Sequence, residues 1–140
     1  MKKSLAIVLT GVLVAFAVNA DPVSDRRAAM DQIRFGAATL VPMLKVTADF
    51  DAVQAELALR MTYAGAIAFK DKFPEGSTSK GANPAIWENM DDLNAKLAVF
   101  QSNAMAAVKT PPKSLDELAS AYQPMLDGCA ACHKAYRIKE

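Results

Sequence analysis

Apolar side chains recur through most of this 140-residue chain at steps of three and four, the rhythm of one helix face. Met30, Ile33, Ala37, Leu40 and Leu44 form the first such stripe, which predicts a helix from about Val23 to Thr47. Pro42 lies inside it and removes the backbone bond to residue 38, so the helix should kink or end there. A second stripe, Val53, Leu57, Ala64, Ile67 and Ala68, is interrupted by Arg60. It predicts a helix from about Asp51 to Phe73, with Asp49 or Asp51 as its cap. Phe73-Pro74 closes it, because the residue before proline avoids the helical region.

Glu75–Asn83 is rich in Gly, Ser and Thr, lacks a hydrophobic rhythm and reads as a loop. Asn83-Pro84 then starts a third helix, Asn as cap and Pro in the first turn. Its stripe is the cleanest in the chain: Ile86, Met90, Leu93, Leu97, Phe100, Ala104 and Ala107. Thr110-Pro111-Pro112 ends it. Ser114-Leu115-Asp116-Glu117 fits a capping box, in which Ser and Glu satisfy free backbone donors. The fourth helix runs from there to about Arg137, with Leu115, Leu118, Tyr122, Leu126, Cys129, His133 and Tyr136 along one face. No stretch reads as a strand. Alternating steps of three and four suit left-handed bundle packing, and four helices with short-to-moderate connections predict an all-α, antiparallel four-helix bundle.

The first twenty residues follow different rules. Met1-Lys2-Lys3 is positive, Leu5–Val18 carries no charge, and Val18-Asn19-Ala20 offers the short residues a signal peptidase reads. Residues 1–20 are therefore expected to be a secretory signal peptide, with a single domain at 21–140. The apolar run of Leu5–Val18 is short for a membrane span, which needs about 20 residues. An uncleaved anchor is the alternative. Without Lys2 and Lys3, 14 basic residues face 15 acidic ones and the net charge is −1. No basic excess argues for nucleic acid as a partner.

Both cysteines and the only histidine fall within five consecutive positions, Cys129 to His133. On a helix, Cys129 and His133 are one turn apart and Cys132 lies beside Cys129. Ala130 and Ala131 leave room for a flat, bulky group to approach the backbone. Cys-x-x-Cys-His reads as a c-type haem attachment site. Two thiols can add to the two vinyl groups as thioethers, and the adjacent imidazole can bind iron from one side. Three other readings compete. A redox dithiol belongs near a βαβ pattern, which is absent from the sequence. A structural zinc site wants four ligands, and here a carboxylate would have to complete it. A disulfide between residues three apart in a helix meets unfavourable geometry.

A four-helix bundle ending in Cys129-Ala130-Ala131-Cys132-His133-Lys134-Ala135-Tyr136-Arg137 resembles the class II cytochromes c, cytochrome c′ and its low-spin relatives. Arg26 and Met30, Pro42, Phe50-Asp51-Ala52 and Pro84-Ala85-Ile86-Trp87 support the likeness along the whole chain after residue 20. The resemblance implies one covalent haem c, near the C-terminal helix, held by Cys129 and Cys132 with His133 as proximal ligand. It further implies that Arg26 sits near a haem propionate, with Arg27 at the neighbouring contact. Arg137 would stand beside the proximal histidine, and Ser77 and Thr78 would touch the haem edge. The family often forms homodimers through its first two helices.

Met30 decides between two functions. In the low-spin relatives a methionine at this position is the sixth iron ligand, and Met/His ligation raises the reduction potential. In high-spin cytochromes c′ the matching residue only fills the distal side, leaving a site open to NO or CO. Plain core packing by Met30 is the third reading. The leading expectation is a periplasmic electron carrier, exchanging electrons with periplasmic or membrane-bound redox proteins. A gas-binding protein is the alternative. An enzyme is not expected, since the chain has no second histidine and the first stripe offers no general acid.

Overall fold

The computed structural model describes residues 21–139, so the signal peptide expected at residues 1–20 lies outside the described residues. Helix α1 spans Pro22–Leu44. The Asp21 carboxylate starts it by accepting from the Val23 and Ser24 amides at 3.1 and 3.2 Å, and Pro22 stands where no amide is needed. The helix passes through Pro42 and ends two residues later, short of Thr47. The Pro42 carbonyl accepts from the amides of Thr47 and Ala48 instead, across a turn in which Val46 adopts a φ of 55°.

The buried face of α1 comprises Arg26, Ala29, Ile33, Gly36, Leu40 and Met43. It keeps the three-and-four rhythm but is centred one position earlier than the sequence stripe, so Met30, Ala37 and Leu44 flank it half-buried. The reason is α2, Ala52–Phe69, which approaches α1 through its smallest residues. A Cβ on Gly36 would overlap the Thr62 hydroxyl and stand 2.8 Å from the Ala58 carbonyl. One on Gly65 would stand 2.7 Å from the Ala29 carbonyl and 2.8 Å from Ile33 Cγ1. Here the second sequence stripe fails. Val53, Leu57, Ala64, Ile67 and Ala68 are exposed, while Ala55, Ala58, Leu59, Thr62, Gly65 and Ala66 are buried. Asp51 caps α2 as expected, accepting from the Val53 and Gln54 amides at 2.9 Å each. The helix stops at Phe69 rather than Phe73, because Lys70 is extended and Asp71 takes a φ of 61°. Phe73 is thereby free to turn inward, and it is buried.

The third predicted helix is two. Helix α3, Ala85–Glu88, is separated from α4, Met90–Lys109, by Asn89, whose backbone leaves the helical region. Asn83 caps α3 through its side-chain oxygen, which accepts from the Ala85 amide at 3.0 Å. The apolar stripe survives the break: Ile86, Leu93, Leu97, Phe100, Ala104 and Ala107 are all buried. Helix α5, Leu115–Tyr136, begins with the expected cap. Ser114 Oγ accepts from the Glu117 amide at 3.2 Å, and Glu117 reaches back to the amide of Lys113 at 2.8 Å. Met125 is more deeply buried than the Leu126 of the sequence stripe, and His133 is exposed.

Helix α1 packs on α2 and α5, and α4 packs on the same two, closing a ring of four long helices. The result is the antiparallel four-helix bundle, with no strand among the described residues. No described helix is long and apolar enough to cross a membrane. The core forms two clusters. One gathers Leu40, Leu59, Phe100, Leu118, Tyr122 and Met125 with their neighbours. The other holds Phe73, Ile86, Leu93, Leu97 and Tyr136.

Candidate functional site

The last two turns of α5 carry Cys129, Cys132 and His133, and they meet both core clusters. Cys129 packs against the first cluster and Cys132 against the second. Both are half-buried free thiols. Burial, as the largest cause, pushes each above its ordinary value, so both stay protonated rather than acting as thiolates. Partial burial first, and the charge of Arg137 second, hold His133 below the usual imidazole value. A neutral imidazole keeps the lone pair that a metal requires.

The turn bearing these residues is anchored by contacts that lie far off in sequence. The Tyr136 hydroxyl donates to Asp92 on α4 at 2.5 Å, which raises the phenol to about 12. The Asn83 amide donates to the Tyr136 carbonyl at 3.0 Å, and the Asn83 side chain donates to the Ala135 carbonyl at 3.3 Å. Ala82 and Arg137 form an isolated antiparallel bridge, and the Ile138 amide donates to Gly81 at 3.1 Å. Asp92 and the second role of Asn83 are absent from the sequence reading. Only the cap signal of Asn83 was visible there.

Met30, on α1, packs half-buried against the same cluster as Cys129. Arg26 and Ser77 also come together. The Arg26 guanidinium is buried and donates to the Lys72 carbonyl at 2.7 Å, to Ser77 Oγ at 2.9 Å and to the Ser77 carbonyl at 2.5 Å. It lies 4.9 Å from the centre of the Phe73 ring. Three of its five N–H donors are thus committed to the loop, and two remain. Lys72 adds an ion pair with Asp25 at 2.9 Å. Arg27 and Thr78 are exposed, and no side-chain bond joins either to the cysteines. Two surface grooves, of about 520 and 340 Å³, are lined by residues around the α1–α2 turn and by Lys70 and Asp71 with α4, not by the cysteines.

The donor set fits a covalent haem. Two unbridged thiols one turn apart stand at the apolar seam between the two clusters, with a neutral imidazole next to the second. Among the described residues no group of three or more His, Cys, Asp or Glu is arranged to hold a bare metal ion, so the zinc reading lacks its ligands. A helical bundle with this thiol and imidazole set on its last helix defines a c-type haem protein.

The sequence profile described as Cytochrome C' matches residues 21–137. A cytochrome c-556 of Agrobacterium fabrum is 37% identical over 142 residues, spanning 100% of this chain and 97% of its own. A cytochrome c' of Alcaligenes xylosoxydans xylosoxydans is 27% identical, over 89% and 99%. Among solved structures, cytochrome c prime from Shewanella frigidimarina superposes with a TM-score of 0.78 at 26% identity, covering 89% of this chain and 99% of that one. The chain belongs to the cytochrome c′ family, and haem c is its cofactor.

Proposed function

We propose that this protein carries single electrons, and that Cys129 and Cys132 would hold the haem as thioethers while His133 and Met30 would ligate its iron. One observation carries the assignment of Met30. Its side chain comes from α1 and packs half-buried against the same core cluster as Cys129 on α5, so both reach one apolar interior. Bound haem supplies a reversible one-electron couple, and a thioether opposite an imidazole favours a raised potential. The chain's own part is to exclude water around that group with its two apolar clusters, to keep His133 neutral, and to hold the α5 terminus still through Asp92 and Asn83. Arg26 and Ser77 fasten the loop that contains Thr78, and Arg27 stands exposed on the same turn of α1. The remaining Arg26 donors are available to a propionate.

Export to the periplasm through residues 1–20, exchange with periplasmic or membrane-bound redox proteins, and the absence of enzymatic turnover belong to the same proposal. So does a homodimer through α1 and α2, where Phe35, Val53, Leu57 and Ile67 leave apolar surface exposed. The test is Met30→Leu in the haem-loaded protein. The substitution nearly conserves volume, so the fold should survive with a loss below about 1.5 kcal/mol. The variant should become high-spin, lose potential and bind CO readily. If CO binding and spin state match those of the unsubstituted protein, Met30 is packing alone.

The second reading, a five-coordinate gas-binding protein, is favoured by one observation. A similar solved structure, with a TM-score of 0.76, is the nitric oxide complex of a cytochrome c prime variant from Alcaligenes xylosoxidans.

A further inference from the structure

Two tyrosines of α5 are buried, Tyr122 and Tyr136, and only one of them has a partner. The Tyr136 hydroxyl donates to Asp92. Tyr122 is 2% exposed, and its hydroxyl makes no hydrogen bond among the described residues. A buried phenol normally finds a partner, and phenylalanine would fill the same space without an orphaned oxygen. Gln32 Oε1 is the one wholly enclosed side-chain atom without a partner among the described residues, so the Tyr122 oxygen retains a little accessible surface. A group brought into the core beside it can therefore reach it. Tyr122 stands two helical turns before Cys129, on the same face of α5. It belongs to the first core cluster, against which Met30 and Cys129 both pack. Burial first, and charge on Cys129 second, raise the phenol above its ordinary value, so it stays protonated and can donate. The second cause also places it within electrostatic reach of the attachment sulfur.

His133 is exposed near the end of α5, whereas Tyr122 is in the interior and Met30 packs against it. A group held by Cys129 and Cys132, with His133 on its outer side, turns its other side to that interior. We propose that Tyr122 is the hydrogen-bond donor to the iron ligand opposite His133: the Met30 sulfur in the electron carrier, or the outer atom of a diatomic gas where Met30 is displaced. The inference rests on the placement of haem at Cys129 and Cys132, and Met30 ligation decides only which acceptor the hydroxyl meets. A thioether sulfur is a weak acceptor, and a donor beside it draws electron density away from the metal. Ferric iron needs that density more than ferrous iron does, so the hydroxyl favours the reduced state and raises the potential. Tyr122 is thus a positioning residue that acts through the ligand. Its proton stays on the phenol in both oxidation states, so one electron moves with no proton transfer. The competing account is that the ring packs and the hydroxyl is incidental.

Tyr122→Phe in the haem-loaded protein separates the two, because it keeps the ring and removes only the hydroxyl. In the low-spin protein at a fixed redox poise, the ferric-to-ferrous ratio should rise by about threefold, the scale of one hydrogen bond's net contribution. A low-spin protein whose ratio does not move overturns the proposal. The second arm uses carbon monoxide as the probe, in the ferrous Met30→Leu protein, and so needs no ligation by Met30. A hydroxyl donating to the bound gas lowers the C–O stretching frequency, so adding Tyr122→Phe should raise it. Exchange into heavy water should displace the band when Tyr122 is present and leave it in place when Phe is there. A stretch indifferent to both the substitution and the exchange overturns the proposal as well. Failure of Met30 ligation looks different: the unsubstituted ferric protein is high-spin, while the effect of Tyr122 on the C–O stretch remains.

Discussion

Arg26 shows what a single residue does here that composition could not announce. Its guanidinium donates three hydrogen bonds into the Lys72–Ser77 segment from a position 6% exposed, and lies against Phe73. Hydrogen bonds from a charged donor contribute about 1.5–3 kcal/mol, and removing the donor strands buried carbonyls. Arg26→Ala should therefore cost about 2–3 kcal/mol in denaturant unfolding and speed hydrogen exchange through residues 72–78. Unchanged exchange in that segment would contradict the role. The chemistry of Cys129, Cys132 and His133 was legible in the sequence, because attachment to two vinyl groups demands a fixed local spacing. The family likeness implies Arg26 near a haem propionate and Ser77 at the haem edge, but nothing in the sequence pairs the two with each other. The actual partners of Arg26, a carbonyl and a hydroxyl in a loop 46 to 51 residues away, follow no local pattern.

The hydropathy pattern carries the rhythm of the helices but not all of their buried faces, and the cause is side-chain size. Hydropathy stripes weight large aliphatics, yet α1 and α2 meet through Ala29, Gly36, Ala58 and Gly65. On α1 the buried face keeps Ile33 and Leu40 but takes Ala29, Gly36 and Met43 in place of Met30, Ala37 and Leu44, and the stripe on α2 points outward. Gly65→Ala tests this contact. Its new methyl would meet the Ala29 carbonyl and Ile33, at an overpacking cost of about 1–3 kcal/mol, although alanine is the better helix former. A variant as stable as the parent would refute the close approach. The sequence predicts one continuous third helix because its apolar stripe crosses Asn89 unbroken, and only the backbone turns there. The α4–α5 junction carries a pH signature. Tyr136 ionises near 10.0 in an unfolded chain but only at about 12 beside Asp92. Its raised value favours the folded state fully below pH 10, and that contribution is lost as pH rises through about 12. Alkaline denaturation should be steeper in the parent than in Tyr136→Phe, and identical profiles would remove Tyr136 from the account.

At the scale of the whole molecule, the bundle divides its core into two apolar clusters and sets one cysteine against each. Four helices, their order and the terminal attachment motif could be read from the sequence. The division of the core could not, since it depends on Phe73 turning inward after α2 stops early. Met30 stands at the edge of the first cluster, and its proposed ligation of iron is what separates the two proposed functions. The most direct measurement is the optical and electron paramagnetic resonance spectrum of the purified ferric protein. Ligation by His133 and Met30 predicts a low-spin spectrum with a sulfur-to-iron charge-transfer band, and a ferrous form slow to take up CO. A high-spin ferric spectrum, with rapid CO binding on reduction, would contradict it.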